Sequence, residues 1–215
     1  NQMTSSLVGS EMCIRDRSYG LYIISTSSQG KNAGCVVNTV TQITSSPVKI
    51  MVAVNHQNYT AEMIQKSGVF EVSVLTQDAS MDLIGAFGFA SSKDTDKFAH
   101  ADYSFDDNGI PYVTQTACAH LSCKVVDTID AGSHVLFLAE VVDAEKLSEG
   151  VPMTYAYYHA VKKGTTPPKA SGYTAPAPKT GWRCKVCGYI YEGETLPADF
   201  VCPVCKQPAS SFEKI

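Results

Sequence analysis

The most constraining feature of this chain lies in its last 34 residues, WRCKVCGYIYEGETLPADFVCPVCKQPASSFEKI, where two CxxC pairs stand 14 residues apart. A segment this short cannot bury enough apolar surface to fold alone and needs a metal or a disulfide as a staple. Each CxxC turn presents two thiolates to one ion while backbone N–H groups point at the sulfurs. Gly188, directly after the first pair, supplies the permissive backbone such a turn needs. Cys184, Cys187, Cys202 and Cys205 together make a closed tetrahedral site with no open position for a substrate. The ion is therefore structural or carries electrons, and spacing alone favours a zinc ribbon.

The chain has 215 residues and eight cysteines, of which the other four, Cys13, Cys35, Cys118 and Cys123, are scattered. No stretch reads as a signal peptide or reaches the 18 apolar residues of a membrane span, so a cytoplasmic location is expected, with thiols serving as metal ligands or buried groups rather than disulfides. With 44% hydrophobic and 18% charged residues the chain suits a buried core. The formal charge is −4. Residues 18–163 carry nine Lys, no Arg and fifteen Asp and Glu, which excludes a basic surface for nucleic acid or anionic lipid.

Residues 164–181, GTTPPKASGYTAPAPKTG, hold four prolines and three glycines and read as a linker. They divide a body, 18–163, from the tail, 182–215. In the body, β-branched and aromatic runs alternate with turn signals: YGLYIIST, AGCVVNTVTQIT, VKIMVAV, VFEVSVL, CAHLSCKVVDTI and HVLFLAEVV. At least six strands are expected. Only two stretches read as helical, 60–66 with Thr60 as N-cap and 80–87 opened by Ser80. Many strands with few helices favour a closed antiparallel barrel, and no GxGxxG or P-loop pattern is present. Cys118 and Cys123, an odd distance apart on one strand, face opposite sides as inert thiols. Residues 1–17 fit neither period; SLVGSEMCIRDR resembles translated sequencing-adapter sequence, the alternative being an ordinary mobile terminus.

The residues flanking the cysteines go beyond spacing. CGYIYEG followed by CPVC, with Trp182, Tyr189, Tyr191 and Phe212 around a tiny core, resembles the short-loop rubredoxins. The resemblance implies one iron cycling between Fe(III) and Fe(II), with zinc as the alternative. Lys206 departs from it, standing where rubredoxins usually have Gly, which leaves the ligands intact but touches the hydrogen bonding that tunes potential.

The body resembles the flavin reductase family through NTVTQITSSPVKIMVAVN, YTAEMI with GVFEVSVL, FGFASSKDTDKF, GSHVLFLAEVV and YAYYHAVKKGTTPPKA, in that order. This implies a mainly β fold, the FMN-binding split barrel, with FMN as cofactor. Asn38, Thr39, Val40, Thr41 and Gln42 then match the strand along the flavin, and Asn55, His56, Gln57 and Thr60 the turn and helix start that hold its phosphate. A helix start with free N–H groups at residues 58–61 suits an anion in a body without Arg. Phe87 and Lys97 match elements near the flavin. His134 stands in GSH where the family has GDH, beside the nicotinamide side. Read without the resemblance, Thr39 and Thr41 are β-formers on a solvated face, His134 is a hydrogen-bonded rim residue, and Cys35 is either packing or a flavin neighbour.

Joined, the modules resemble the high-molecular-weight rubredoxins. The resemblance implies that NAD(P)H feeds FMN, FMN feeds the iron, and the iron feeds an acceptor, commonly a flavodiiron protein, in a homodimer. Two other functions remain open: a free-flavin reductase with a zinc-ribbon docking tail, and a flavin-binding sensor or adaptor.

Overall fold

The computed structural model describes residues 18–171, 173 and 181–215. The segment 1–17, with its foreign look and Cys13, lies outside the described residues, as do residues 172 and 174–180 of the expected linker.

Seven strands make one antiparallel sheet: β1 (Tyr22–Ser28), β2 (Lys31–Val37), β3 (Thr41–Ser45), β4 (Val48–Asn55), β5 (Val69–Leu75), β8 (Ala117–Asp130) and β9 (His134–Lys146). Their order is β2-β1-β5-β8-β9-β4-β3. A small hairpin of β6 (Tyr103–Phe105) and β7 (Pro111–Val113) stands apart; at three residues each, these strands are too short to show a period. Gln29 and Gly30 turn β1 into β2 in two residues, both at positive φ (53° and 74°), the geometry that matches strand twist.

The barrel is split, as the resemblance implies, and not closed as the strand pattern alone favours, because β2 and β3 are the two edges and do not pair with each other. The run AGCVVNTVTQIT is correspondingly two strands. The chain leaves the ladder between Val37 and Thr41. There the Thr39 hydroxyl takes over the strand's role, donating to the Ala53 carbonyl (2.9 Å) and accepting from the Ala53 N–H (3.2 Å). Both backbone groups of Ala53 are thereby satisfied beside the break.

The sheet is covered on both faces, which is why β1 is buried along a continuous run. Ile24 points into an inner core with Val52, Phe70, Val72 and Phe137, plugged by Ala61 and Ile64 of α1 (Tyr59–Ser67). Ile23 points the other way, into a cluster with Leu83, Ile84 and Phe87 of α2 (Met81–Phe89), joined by Tyr158 of α3 (Tyr155–Ala160). Ser80 caps α2 as expected, accepting from the Leu83 N–H at 3.1 Å. The cap of α1 is Asn58 rather than Thr60: the Asn58 side chain accepts from the Thr60 N–H (3.0 Å), while Thr60 itself is buried inside the first turn. The third helix was not expected, since YAYYHA is too short to show a helical period.

In the tail, β10 (Trp182–Cys184), β11 (Ile190–Tyr191) and β12 (Phe212–Lys214) form a three-stranded sheet in the order β11-β10-β12. Among the described residues no helix is long and apolar enough to cross a membrane.

Candidate metal centre and adjoining cleft

The four tail sulfurs lie within 4.8 Å of one another, with Cys184 and Cys205 at 3.6 Å and Cys187 and Cys202 at 3.5 Å. Tetrahedral bonds of about 2.3 Å to one ion require sulfurs about 3.8 Å apart, so the donors stand ready for an ion. Two matching knuckles produce this. The N–H of Gly188 donates to the Cys184 carbonyl and that of Lys206 to the Cys202 carbonyl, both at 2.9 Å. Each needs a left-handed residue, φ 79° at Gly188 and 58° at Lys206.

Burial pushes the Cys187 thiol far above its ordinary value and Cys205 up to about 12. At Cys184 burial acts the same way, but N–H groups of Cys187 and Val186 reach its sulfur and hold the pKa below the ordinary value. Buried sulfurs that resist ionisation on their own suit a cation that displaces their protons. The donor set therefore fits an iron or zinc ion.

Next to the metal centre lies a cleft of about 420 Å³, within the range of cofactor sites. Leu21, Val36, Val37 and Ile84 give it apolar walls. Among the expected site residues, Asn38, Thr39, Asn55, Gln57 and His134 line it. The structure places the others elsewhere. Val40 packs on the inner core. Thr41 and Gln42 are exposed on the edge strand β3. His56 pairs with Asp130 (3.0 Å), and Thr60 is buried in α1. Phe87, on the buried side of α2, and Lys97 are both buried, and Lys97 Nζ donates to the carbonyls of Gly34 (2.7 Å) and Phe87 (3.0 Å) and ties β2 to that helix.

The expected free N–H groups at the start of α1 are partly spent. Asn58 N–H donates to the Asn55 carbonyl (2.9 Å), Thr60 N–H to the Asn58 side chain, and Ala61 N–H to the Asn58 carbonyl (2.9 Å). Asparagine side chains close such turns on themselves, which the sequence reading overlooked. Positive charge reaches the cleft instead from Lys169 and Lys185. In size, apolar walls, converging amides and cations the cleft fits a flavin nucleotide.

His134 starts β9 opposite Asn55 in the register. Its Nδ1 lies 2.8 Å from Ser133 Oγ, and burial, followed by the charge of His56, lowers its pKa. Cys35 is fully within the inner core with its pKa raised by burial, a packing residue. Cys118 and Cys123 are buried as well, and burial raises the Cys123 thiol strongly.

One wall is legible in the sequence only in part, since composition assigns 164–181 to a linker while the resemblance to the flavin reductase family runs on through GTTPPKA. Residues 165–171, taken from composition as linker, lie along the cleft with Tyr155 and Tyr158. Asn55 Nδ2 donates to the Lys169 carbonyl (2.9 Å), Ser171 Oγ to Asn38 Oδ1 (3.3 Å), and Tyr158 OH to the Thr165 carbonyl (2.9 Å). Lys185 and Val186, the two residues between the cysteines of the first pair, complete the wall. The signal for 165–170 is the family-like segment YAYYHAVKKGTTPPKA, whereas composition alone assigns the same residues to a spacer.

Comparison with known proteins follows the same division. The flavin reductase like domain matches residues 14–165, and the rubrerythrin, rubredoxin-like domain matches residues 182–213. A high molecular weight rubredoxin of Moorella thermoacetica is 40% identical over 219 residues, covering 92% of this chain and 96% of that protein. A ferric-chelate reductase (NAD(P)H) of Archaeoglobus fulgidus is 46% identical over 156 residues, covering 73% of this chain and 92% of that one. The fold matches the crystal structure of nitrilotriacetate monooxygenase component B from Mycobacterium thermoresistibile with a TM-score of 0.61 at 23% identity, over 70% of this chain and 81% of that one. With both modules matched in this order, the chain belongs to the flavin reductase like family, as a member that carries a C-terminal rubredoxin-like domain.

Proposed function

We propose that this protein takes electrons from NAD(P)H at the barrel cleft and passes them singly, through an iron held by Cys184, Cys187, Cys202 and Cys205, to an acceptor protein. The observation that carries this reading is the shared wall: Lys185 and Val186, inside the first CxxC, line the cleft that Asn38, Asn55 and His134 also line. A bound FMN would supply the two-electron to one-electron chemistry that links a hydride donor to a four-thiolate iron. The chain's own part is binding and placement. Beyond their bonds to Ser171 and Lys169, Asn38 and Asn55 keep Nδ2 hydrogens to offer a flavin, Lys169 and Lys185 offer charge to its phosphate, and residues 165–171 exclude water. Ser133 fixes the His134 ring, which its depressed pKa keeps uncharged at neutral pH.

Two relatives, a high molecular weight rubredoxin and an NAD(P)H ferric-chelate reductase, support the donor and the relay. A flavodiiron protein as acceptor rests on the resemblance of the fused modules to the high-molecular-weight rubredoxins. A homodimer is favoured by the exposed edge strand β3 and by Ile43, Val48, Val126, Ile129 and Val142, exposed on neighbouring strands. Unpaired Cys35, Cys118 and Cys123 suit a reducing compartment such as the cytoplasm.

Anaerobic titration with NADH, followed in the visible range, tests the relay. Bleaching of the flavin and then of the red iron centre is expected. A flavin that bleaches beside an iron that stays oxidised would turn the assignment to a free-flavin reductase. Stoichiometric zinc in iron-supplied material would turn it to an adaptor.

A further inference from the structure

One side of α2 is committed to the barrel through Leu83, Ile84 and Phe87. Its other side presents Asp82, Gly85 and Phe89, a spacing of i, i+3 and i+7 that puts them on one face, with Ala86 between them also touching the barrel cluster. That face meets the second knuckle of the tail, Val204, Cys205 and Lys206. Phe89 packs against the tail's core. A Cβ built on Gly85 would stand 3.0 Å from the Val204 carbonyl oxygen, so glycine is what lets helix and knuckle approach this closely. Lys206 Nζ lies 3.2 Å from Asp82 Oδ1. On the other knuckle, Thr165 Oγ1 donates to the Cys187 carbonyl at 3.3 Å.

Lys206 is the unexpected member. It occupies the left-handed position that Gly188 fills in the matching knuckle, where a lysine is conformationally unfavourable. Nothing about the sulfurs requires a side chain there. What the side chain reaches is the barrel.

We propose that Lys206, with Asp82 and the Gly85 face of α2, is a reversible latch that seats the metal module of this same chain beside the cleft. Seated, the tail brings Lys185 and Val186 to the cleft wall and turns Cys205, the least buried sulfur ligand, toward α2. Released, it frees both the cleft and the ligand edge for other partners. Both charged side chains are well exposed, 63% for Lys206 and 76% for Asp82, so the pair holds weakly and salt screens it. Weakness is what a shuttle between two docking partners needs. The latch depends on the relay reading for its purpose but not for its geometry.

Zero-length carbodiimide cross-linking of the full chain at low salt tests it, with peptides identified by mass spectrometry. The pairs Lys66–Glu62 and Lys146–Glu149, each at 2.6 Å within one element or turn, serve as internal references that docking does not touch. A Lys206–Asp82 cross-link is expected in the monomer band, falling roughly two- to five-fold against the references at high salt, the range an exposed pair supports. Gly85→Leu should reduce it at least about ten-fold while strengthening α2, since leucine is the better helix former. Combining Lys206→Glu with Asp82→Lys should restore a cross-link that either change alone removes, and flavin-to-iron transfer should fall and recover in parallel. Absence of the cross-link at low salt, indifference to Gly85→Leu, or its appearance only in a covalent dimer overturns the latch, whatever the iron does. A cross-link with all these properties beside an iron that is never reduced leaves the latch standing and overturns the relay.

Discussion

The barrel and the tail are held together by different physics. The barrel buries two apolar clusters on opposite faces of its sheet, with Ile23, Ile24, Phe70, Phe87 and Phe137 almost wholly inaccessible. The buried cluster of the tail has five members, Cys184, Cys187, Cys202, Val204 and Phe212, and three of them belong to the four-sulfur set suited to a metal ion. Two apolar side chains and a rim of aromatics cannot offset the entropy of ordering 34 residues. The barrel is thus a fold that holds a cofactor, whereas the tail is a cofactor site that holds a fold. The two should fail independently and for different reasons.

The largest expected effect follows from removing a ligand. In Cys187→Ser the tail loses a binding free energy on the order of 10 kcal/mol, which for a small metal module is its folding free energy. We expect iron content to fall to near zero and electron delivery to any external acceptor to stop. By calorimetry the barrel transition should keep its midpoint. A barrel that melts earlier in this variant would show that the two modules form one cooperative unit and do not fail independently.

The mirror experiment strikes the barrel. Phe137 is fully buried in the inner core, and Phe137→Ala should cost about 3–5 kcal/mol through lost burial and a residual cavity. Denaturant unfolding followed by tryptophan-independent circular dichroism should shift, while the red absorbance of the iron-loaded tail persists to its original midpoint. Loss of both signals together would again argue for one unit.

How legible each region was follows from the same difference. The tail's ligands could be named from spacing because metal geometry tolerates little else, and the four sulfurs converge as expected. The barrel's strands were legible as alternating apolar runs, but its cleft was legible only in part. Asn38, Thr39, Asn55, Gln57 and His134 were singled out by the resemblance to the flavin reductase family and not by the apolar pattern, and they reach the cleft. Lys169, Lys185 and Val186 arrive from the linker and the tail, by contacts across a large sequence separation that no local period encodes. Glu71 was equally invisible: in VFEVSVL it reads as a solvent-facing position. It is instead buried, its Oε2 2.9 Å from His120 Nδ1 with Tyr112 stacked on that imidazole at 3.8 Å, and burial raises its pKa. Pairing of two polar residues inside a sheet covered on both faces leaves no signature in either strand alone.

A pH experiment sharpens the contrast, because the barrel carries a buried lysine. Burial depresses the pKa of Lys97 to about 8 against an unfolded value near 10.5. Between these values the unfolded chain binds more protons than the folded one, so folding becomes more favourable as pH rises through this window and less so as pH falls through 8. The contribution at full extent is roughly 3 kcal/mol at 1.36 kcal/mol per unit. Denaturant midpoints of the barrel from pH 7.5 to 10 should rise relative to those of Lys97→Met, in which this component of the slope is absent. Equal slopes would mean that the Gly34 and Phe87 carbonyls stabilise the ammonium enough to cancel its burial.

The smallest effect falls on the seam between the two regions, and it separates local strain from docking. Gly188 and Lys206 do the same backbone work in the two knuckles, each at positive φ with its N–H on the carbonyl of the first cysteine of its pair. A non-glycine residue in that conformation costs roughly 1 kcal/mol, offset in part because glycine leaves the unfolded chain more freedom to lose. Lys206→Gly should therefore leave the tail as stable as before or more stable by up to about 0.5 kcal/mol, read as an equal or slower loss of red colour in excess chelator. The same variant removes the ion pair to Asp82 and should weaken docking. If the tail releases its metal faster in Lys206→Gly, then contact with α2 contributes to the tail's own fold. The metal module would then be less self-sufficient than its sulfur cage suggests.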